Sequence, residues 1–238
     1  MIDRINVRLF VGILFYVQFL DLSAQNTTLD QGDSLFNQQQ YTEAFDVYEE
    51  IYSSGQFTSA MLLKMAFIQD GLGNYAEALY FLDKYYAASA DRQVIGKIEE
   101  LVEAHELRGF SYNDTDYFLA LLSKYRAQML LILISISVLL LVYIFRKSKM
   151  EEPALAAGVI QIIILLFILG VNNINPTKQG IIIADNTLLR SGPSAGAEPI
   201  EILPKGHKLT IIDQDNVWTK VQWDGKEVFI RNARLKII

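Results

Sequence analysis

Apolar and polar positions follow different patterns in successive parts of the chain. Up to residue 125 most apolar positions have helical spacing, residues 129–171 contain two long apolar runs, and short β-rich runs separated by turn residues follow residue 180. We therefore predict a multidomain α + β protein. It combines an all-α domain, a two-helix transmembrane hairpin and a small all-β barrel.

The first 24 residues have the pattern of an export signal. Arg4 and Arg8 precede the apolar run 9–20, and the small residues Ser23 and Ala24 suit cleavage before Gln25. The run is short for a span of about 20 residues, and an uncleaved membrane anchor is the alternative. We predict a signal peptide at residues 1–24, so that the following domain is exported.

Two apolar runs, residues 129–145 and 154–171, are long enough to cross a membrane. The link between them, residues 146–153, contains three cationic side chains, which favour the cytoplasmic side. The runs are predicted to form a hairpin that returns the chain to the outer side. A juxtamembrane helix (111–128) then precedes the hairpin, and a linker (172–179) follows it.

Ser137 and Gln161 are predicted to lie at similar depth in this hairpin, because each is eight or nine residues from an end of the link. An amide in hydrocarbon needs a partner, so we expect a hydrogen bond between these two side chains. Ser135 and Gly158 are further candidates for transmembrane packing. Their small side chains suit close contact within the hairpin or with another membrane protein.

A motif recurs after 34 residues: residues 40–44 (QYTEA) correspond to residues 74–78 (NYAEA), and Gly32 corresponds to Ala66. This pattern resembles the tetratricopeptide repeat, in which small residues let paired helices approach closely. The resemblance implies a repeat domain over residues 25–110. Its predicted helices are residues 29–39, 41–52, 59–72 and 75–88, with 91–104 as a cap, and residues 116–125 help to complete the core with Asp114 as N-cap.

In that family the concave face of the repeats holds an extended or helical peptide. The resemblance places five partner-binding candidates there: Asp33, Phe36, Asn37, Phe67 and Asp70. Core packing is the alternative for Phe36 and Phe67, because aromatic side chains at helical spacing are more often buried.

Charge and residue types exclude several functions. Residues 25–110 contain 14 acidic and 5 basic side chains, and the whole chain has a net charge of −6, which argues against nucleic acid and favours a neutral or basic partner. The chain has no cysteine, and His105 and His207 lack the spacing of a metal motif. We therefore predict no catalytic, metal or cofactor site and no enzymatic activity.

Residues 180–238 are predicted to form the barrel, with strands at 181–184, 208–213, 217–223 and 226–230. Asp224-Gly225 is typical of a two-residue hairpin turn. The segments 186–194, 203–206 and 218–221 (NTLLRSGPS, LPKG and WTKV) resemble the bacterial SH3 family. Members of that family often bind cell-wall peptides, and others are spacers.

Strand alternation predicts Val217, Val221 and Trp223 on one face of their strand and Trp218 on the other. Trp218 and Arg190 are therefore our candidates for a ligand or surface contact of the barrel. In the alternative interpretation, Trp218 covers the loop at Arg190 and has a structural role.

The order of these regions resembles the BatE-like component of the Bat aerotolerance family. The resemblance implies a bacterial inner-membrane scaffold with both soluble domains on the periplasmic side. It also implies membrane partners that carry von Willebrand factor A domains, and a role in oxidative or envelope stress tolerance. The alternative function is a cell-wall sensor whose SH3-like domain binds peptidoglycan.

Overall fold

A computed structural model of the protein describes residues 25–149, 153, 155–174 and 177–238. The predicted signal peptide lies outside the described residues. The chain divides into two compact units, Met1–Gly73 (unit 1) and Asn74–Ile238 (unit 2). Their boundary falls inside residues 25–110, for which a single repeat domain was predicted.

Unit 1 contains three helices in its described part: α1 (Gln25–Asn37), α2 (Tyr41–Ser53) and α3 (Ser59–Gly71). The hydroxyl of Thr58 caps α3 by accepting a hydrogen bond from the backbone N–H of Met61 (3.1 Å). A Cβ atom at Gly32 would lie 2.6 Å from the ring of Tyr48. Glycine therefore allows α1 and α2 to approach closely at this position.

Unit 2 begins with two helices, α4 (Tyr75–Ser89) and α5 (Gln93–Ala104). They are followed by α6 (Asp114–Lys149) and α7 (Leu155–Asn172). We call residues 105–113, between α5 and α6, the connecting segment. The side chain of Asn113 accepts from the N–H of Asp116 (2.9 Å), and the Asp116 carboxylate accepts from the N–H of Asn113 (3.1 Å). This reciprocal pair is a capping box, so Asn113 caps α6, and the prediction of Asp114 as the cap was wrong by one residue.

The helices α6 and α7 are both long and apolar enough to cross a membrane. The helix α6 has no break between the predicted juxtamembrane helix and the first apolar run. Large apolar side chains on both helices are exposed, among them Leu139 (71%) and Leu155 (82%). Exposed apolar surface of this extent suits contact with lipid rather than water.

Residues 179–238 form the β domain, a seven-stranded antiparallel sheet with the order β3-β2-β6-β5-β4-β1-β7. Its strands are β1 (Gln179–Ile182), β2 (Thr187–Arg190), β3 (Pro199–Leu203), β4 (Lys208–Gln214), β5 (Trp218–Trp223), β6 (Lys226–Arg231) and β7 (Leu235–Ile237). The sheet encloses a core that includes Ile182, Leu189, Val221, Trp223, Val228 and Ile230. The prediction of an all-β domain is confirmed, and so are β4, β5 and β6, each to within one residue at either end. The first strand lies two residues earlier than the predicted 181–184.

The hairpin between β5 and β6 turns at Asp224 and Gly225, which have φ angles of 47° and 75°. Positive φ at both positions matches the prediction from the Asp-Gly pair. The alternation of β5 is also as predicted for Val221 and Trp223, which are buried on one face, while Trp218 lies on the opposite face and is buried as well. Val217 was wrongly placed with them: it precedes β5 and is 54% exposed.

Candidate functional site

The predicted partner-binding residues of unit 1 lie on α1 and α3. Phe36 and Phe67 form a triangle of edge-to-face rings with Tyr41, and the ring centroids are 5.3 to 5.8 Å apart. We call these three side chains the aromatic triangle. Phe36 is partly buried, but Phe67 is 56% exposed. The triangle therefore combines internal packing with an accessible aromatic surface.

Asp33 is engaged inside unit 1. Its carboxylate accepts a hydrogen bond from the Tyr48 hydroxyl (2.7 Å) and forms an ion pair with Lys64 (2.7 Å). Burial alone would raise the pKa of Asp33, but the bonds with Lys64 and Tyr48 outweigh it and hold the pKa below 3.8. Asp33 is therefore a charged structural contact as well as a surface group. Asn37 is exposed at the end of α1, and Asp70 is partly buried on α3.

In the hairpin, Gln161 Nε2 donates to Ser137 Oγ at 2.6 Å, and both side chains are buried. This is the pair that the sequence placed at similar depth. Ser135 instead donates to the carbonyl of Leu131 in its own helix (2.8 Å). Apart from its chain neighbours and the backbone of its own helix, no described atom lies within 4 Å of the position of a Cβ on Gly158, so within the described part of this hairpin Gly158 is not a site of close packing.

Trp218 and Arg190, the predicted contacts of the β domain, have separate partners. The guanidinium of Arg231 lies 5.5 Å from the centre of the Trp218 ring. Arg190 donates to the carbonyl of Ala197 (2.7 Å) inside the loop between β2 and β3. Both side chains thus serve contacts within the β domain.

The β domain docks on α4 through two lysines. Lys208 is buried and forms an ion pair with the equally buried Asp83 (3.0 Å), which also accepts from the hydroxyl of Tyr112 (2.5 Å). Lys236 pairs with Glu77, which lies six residues before Asp83 on α4 (2.6 Å). Burial, reinforced by the charge of Asp83, raises the pKa of Tyr112. A buried pair of this kind fixes the relative position of the two elements that it joins.

The connecting segment extends this docking. Arg108 forms ion pairs with Glu201 and Asp224, both at 3.0 Å, and its guanidinium lies 4.6 Å from the centre of the Trp223 ring. The backbone N–H of Arg108 donates to Nδ1 of His207 (3.0 Å). Burial and the charge of Arg108 lower the pKa of His207, which favours the neutral ring that this bond requires.

Gly109 passes directly over the β domain. A Cβ atom at this position would lie 1.9 Å from the carbonyl oxygen of Lys208, and the φ of Gly109 is +94°. Both facts exclude a larger residue without displacement of the segment. Leu107 is buried beside Gly206 of the β domain.

A cavity of about 280 Å³ lies beside the docking contacts and is lined by side chains of α4, α6 and the β domain. Tyr86, Asp83, Asp116 and Lys208 contribute to its wall. Among the residues that the structure describes, the Tyr86 hydroxyl has no hydrogen-bond partner. Burial raises the pKa of Tyr86, so its hydroxyl is neutral and can donate to water in this space.

Sequence reasoning missed the docking residues. In the sequence, nothing distinguishes Asp83 and Glu77 from other charged residues of a helix, or Lys208 and Lys236 from other charged residues of a strand. Their partners are more than 100 positions away. One weak signal was present: Lys208 opens a strand whose next residue, Leu209, is a core residue. In the described part of the chain, no three His, Asp or Glu side chains are placed to hold a metal ion.

Residues 185–236 match the bacterial SH3 domain family. The match includes all strands of the β domain except β1 and the end of β7, and it contains Glu201, His207, Trp223 and Asp224. No curated protein matches the chain. The C-terminal part is thus a bacterial SH3 domain, which confirms this part of the predicted architecture.

Proposed function

We propose that this protein is a non-enzymatic, membrane-anchored adaptor that binds a protein partner through unit 1. The aromatic triangle is the observation that carries the proposal. Its exposed member, Phe67, offers a large apolar contact, and aromatic side chains dominate binding energy at protein interfaces. Around it, residues 25–73 contain seven acidic side chains and one lysine, so the surface favours an apolar segment with basic neighbours.

The resemblance of the whole chain to the Bat family suggests the partner: a membrane protein with a von Willebrand factor A domain. Phe67→Ala is expected to weaken co-purification with such a protein at least tenfold, since loss of an interface aromatic commonly costs more than about 1.4 kcal/mol. Phe57→Ala is the matched control, because Phe57 is 47% exposed in the same unit but contacts Tyr52 instead of the triangle. Equal retention by Phe67→Ala and the unmodified protein would contradict the proposal.

We further propose that unit 1 and the β domain lie on the periplasmic side of a bacterial inner membrane. Support comes from the docking of the β domain on α4, because the ion pair between Asp83 and Lys208 requires both elements in one compartment. The apolar helices α6 and α7 then act as one hairpin. The cations at the end of α6 (Arg146, Lys147 and Lys149) favour the cytoplasm for its tip.

This topology can be tested with single cysteines, because the chain has none. Cysteines at Gln56 and Asp213, both exposed, are expected to react with a membrane-impermeant maleimide added from the periplasm. A cysteine at Ser148 is the matched control and should react only after the membrane is opened. Labelling of positions 56 and 213 from opposite sides would overturn the arrangement.

A second candidate function is a cell-wall sensor, and the match of residues 185–236 to the bacterial SH3 family favours it. Under this hypothesis the β domain binds peptidoglycan, and α4 and α6 relay its occupancy. The full protein in detergent should then sediment with purified cell wall at low salt. Failure to sediment, for both the unmodified protein and Arg108→Ala, would leave the adaptor function alone.

A further inference from the structure

Arg108 sits on the β domain in the way that an arginine of a bound peptide would. One terminal nitrogen, Nη1, donates to Asp224 Oδ2, and the other, Nη2, donates to Glu201 Oε1, both at 3.0 Å. The central carbon of the guanidinium, Cζ, lies over the Trp223 ring, 4.6 Å from its centre. Two separate carboxylates and an aromatic face use the features that distinguish arginine from lysine.

The groups that receive Arg108 are fixed by the β domain itself. Trp223 is buried in the core of the domain, and its Nε1 donates to Glu201 Oε2 at 2.8 Å. This bond orients Glu201, so that its other oxygen, Oε1, faces the guanidinium. Asp224 is held by the hairpin turn between β5 and β6. The site is therefore organised without a contribution from the connecting segment.

The backbone of Arg108 is recognised as well. Its N–H donates to His207 Nδ1 (3.0 Å), and its carbonyl accepts from the N–H of Lys208 (3.1 Å). The next residue, Gly109, lies so close to the carbonyl of Lys208 that no side chain fits there. Main-chain pairing combined with one specific side-chain contact is the way in which sheet domains bind extended peptides.

We propose that Trp223, Glu201 and Asp224 form an arginine-binding site for an extended, arginine-bearing segment of a protein partner. Arg108 is its resident occupant, and a partner segment replaces it. The side chain of Arg108 is 49% exposed, so the site is open to solvent and exchange does not require the β domain to unfold. This site is separate from the aromatic triangle and goes beyond the adaptor function proposed above.

A partner segment that replaces Arg108 must compete with an occupant that belongs to the same chain. A tethered segment has an effective concentration on the order of millimolar. A partner therefore competes only when it is held nearby, as it would be in a membrane assembly, or when it makes additional contacts. The connecting segment would then be displaced while the core of the β domain stays folded.

The test uses the full chain in nanodiscs and a labelled peptide with the sequence of residues 107–112 (LRGFSY). Arg108→Ala empties the site, and this variant is expected to bind the peptide at least tenfold more tightly than the unmodified protein. Peptides with lysine or alanine in place of arginine should bind at least tenfold more weakly than the arginine peptide. Arg231→Ala is the matched control, because Arg231 also lies over a tryptophan, Trp218, outside the site.

The replacement of Arg108 by the peptide is measured on the unmodified protein by amide hydrogen exchange. Saturating peptide is expected to increase exchange at the amide of Arg108, which loses its bond to His207. The amide of Lys208 and those of the core of the β domain should stay protected, because the carbonyl of the peptide arginine then accepts from the Lys208 N–H. Equal binding of the arginine and alanine peptides to Arg108→Ala would overturn the site. Unchanged protection of the Arg108 amide under saturating peptide would show that Arg108 stays bound, and it would contradict the proposal that a partner segment replaces it. If Arg108→Ala does not fold, Glu201→Gln in the unmodified chain gives the same test, with the loss of peptide-induced exchange as the expected result.

Discussion

Two aspartates, one in each unit, contact the same two kinds of partner. Asp33 pairs with Lys64 and accepts from the Tyr48 hydroxyl, whereas Asp83 pairs with Lys208 and accepts from the Tyr112 hydroxyl. The first pair is partly solvated, with side-chain exposures of 39% for Asp33 and 25% for Lys64. The second is buried, with 3% for Asp83 and 4% for Lys208.

The comparison shows how burial changes the role of the same chemistry. An exposed ion pair contributes little, because water and salt solvate its separated members almost as well. In a buried pair each member depends on the other, because a charge that stays buried after its partner is removed is poorly solvated. The pair of Asp33 and Lys64 therefore contributes little to the stability of unit 1, while the pair of Asp83 and Lys208 determines where the β domain is held on α4.

The largest effect is expected from Lys208→Ala. It leaves Asp83 buried without its cation, which costs about 3–5 kcal/mol. The opening free energy of amides in α4 and β4, measured by native-state hydrogen exchange, should fall accordingly. The double variant Asp83→Leu/Lys208→Met removes both charges and is expected to recover most of the loss. A loss of less than about 1 kcal/mol for Lys208→Ala would contradict the importance of burial here.

Gly109→Ala is expected to destabilise the docking of the connecting segment by about 1–3 kcal/mol, because the new methyl group overlaps the carbonyl of Lys208. Faster exchange of the Arg108 and Lys208 amides would report this opening. Gly96→Ala is the control: apart from chain neighbours and the backbone of α5 itself, no described atom lies within 4 Å of the new methyl group. There a gain of about 0.5–1 kcal/mol is expected from helix propensity. Similar losses in both variants would argue against the close approach at Gly109.

Ser137→Ala should weaken the membrane hairpin by about 0.6–2 kcal/mol, because Gln161 loses its buried partner. Unfolding in mixed micelles with increasing denaturing detergent measures this change. Ser135→Ala should have almost no effect, since that hydroxyl is exposed and bonds to its own helix. If Ser135→Ala matched Ser137→Ala, the bond between the two helices would not be the stabilising contact.

In the partly solvated pair, Lys64→Ala should lower the free energy of unfolding of unit 1 by about 1 kcal/mol or less. The pKa of Asp33 should rise from its lowered position, as followed by NMR titration of its carboxyl carbon. A lowered pKa means that the carboxylate stabilises the fold above the unfolded value of 3.8 and that this contribution is lost as the pH falls through the folded value. An unchanged pKa in the variant would show that Lys64 is not the cause.

The mildest perturbation is acidification from pH 8 to pH 5. The folded pKa of His207 lies below 6.5, so the undocked state binds more protons as the pH falls through 6.5, and docking weakens. The groups that face this ring are Arg108, Glu201, Asp224 and Trp223. Exchange of the Arg108 amide should accelerate at low pH beyond the intrinsic rate change. His207→Gln keeps an acceptor that does not titrate and should show a flat profile, and an equal slope in both proteins would exclude His207 as the cause.

The elements of the chain were largely predictable, because their signals are local. Helical spacing, apolar runs of membrane length and the Asp-Gly turn depend on residues that are neighbours in sequence. The strand β2 was recognised only as part of a family segment, and β3 and β7 were not predicted as strands, since each of these three strands is short and contains few alternating positions. The hydrogen bond between Ser137 and Gln161 was also predictable, because a tight hairpin sets the depth of both residues.

The candidate sites were less predictable. The chosen residues of unit 1 lie near each other, but the sequence did not indicate that Asp33 bonds to Tyr48 and Lys64. Arg190 and Trp218 were selected in the β domain, whereas Trp223, Glu201 and Asp224 receive Arg108. The difference depends on the path of the connecting segment, and its irregular backbone has no periodic pattern from which that path could be inferred.

The sequence by itself determined the secondary structure, the two apolar helices and the acidic character of residues 25–110, because these properties depend on local pattern and composition. Only the tertiary structure decided which charges are buried and what Arg108 contacts. Asp83 and Lys208 are 125 positions apart, and nothing in either neighbourhood specifies the other. Their pairing arises when the β domain packs against α4 and water is removed from both side chains.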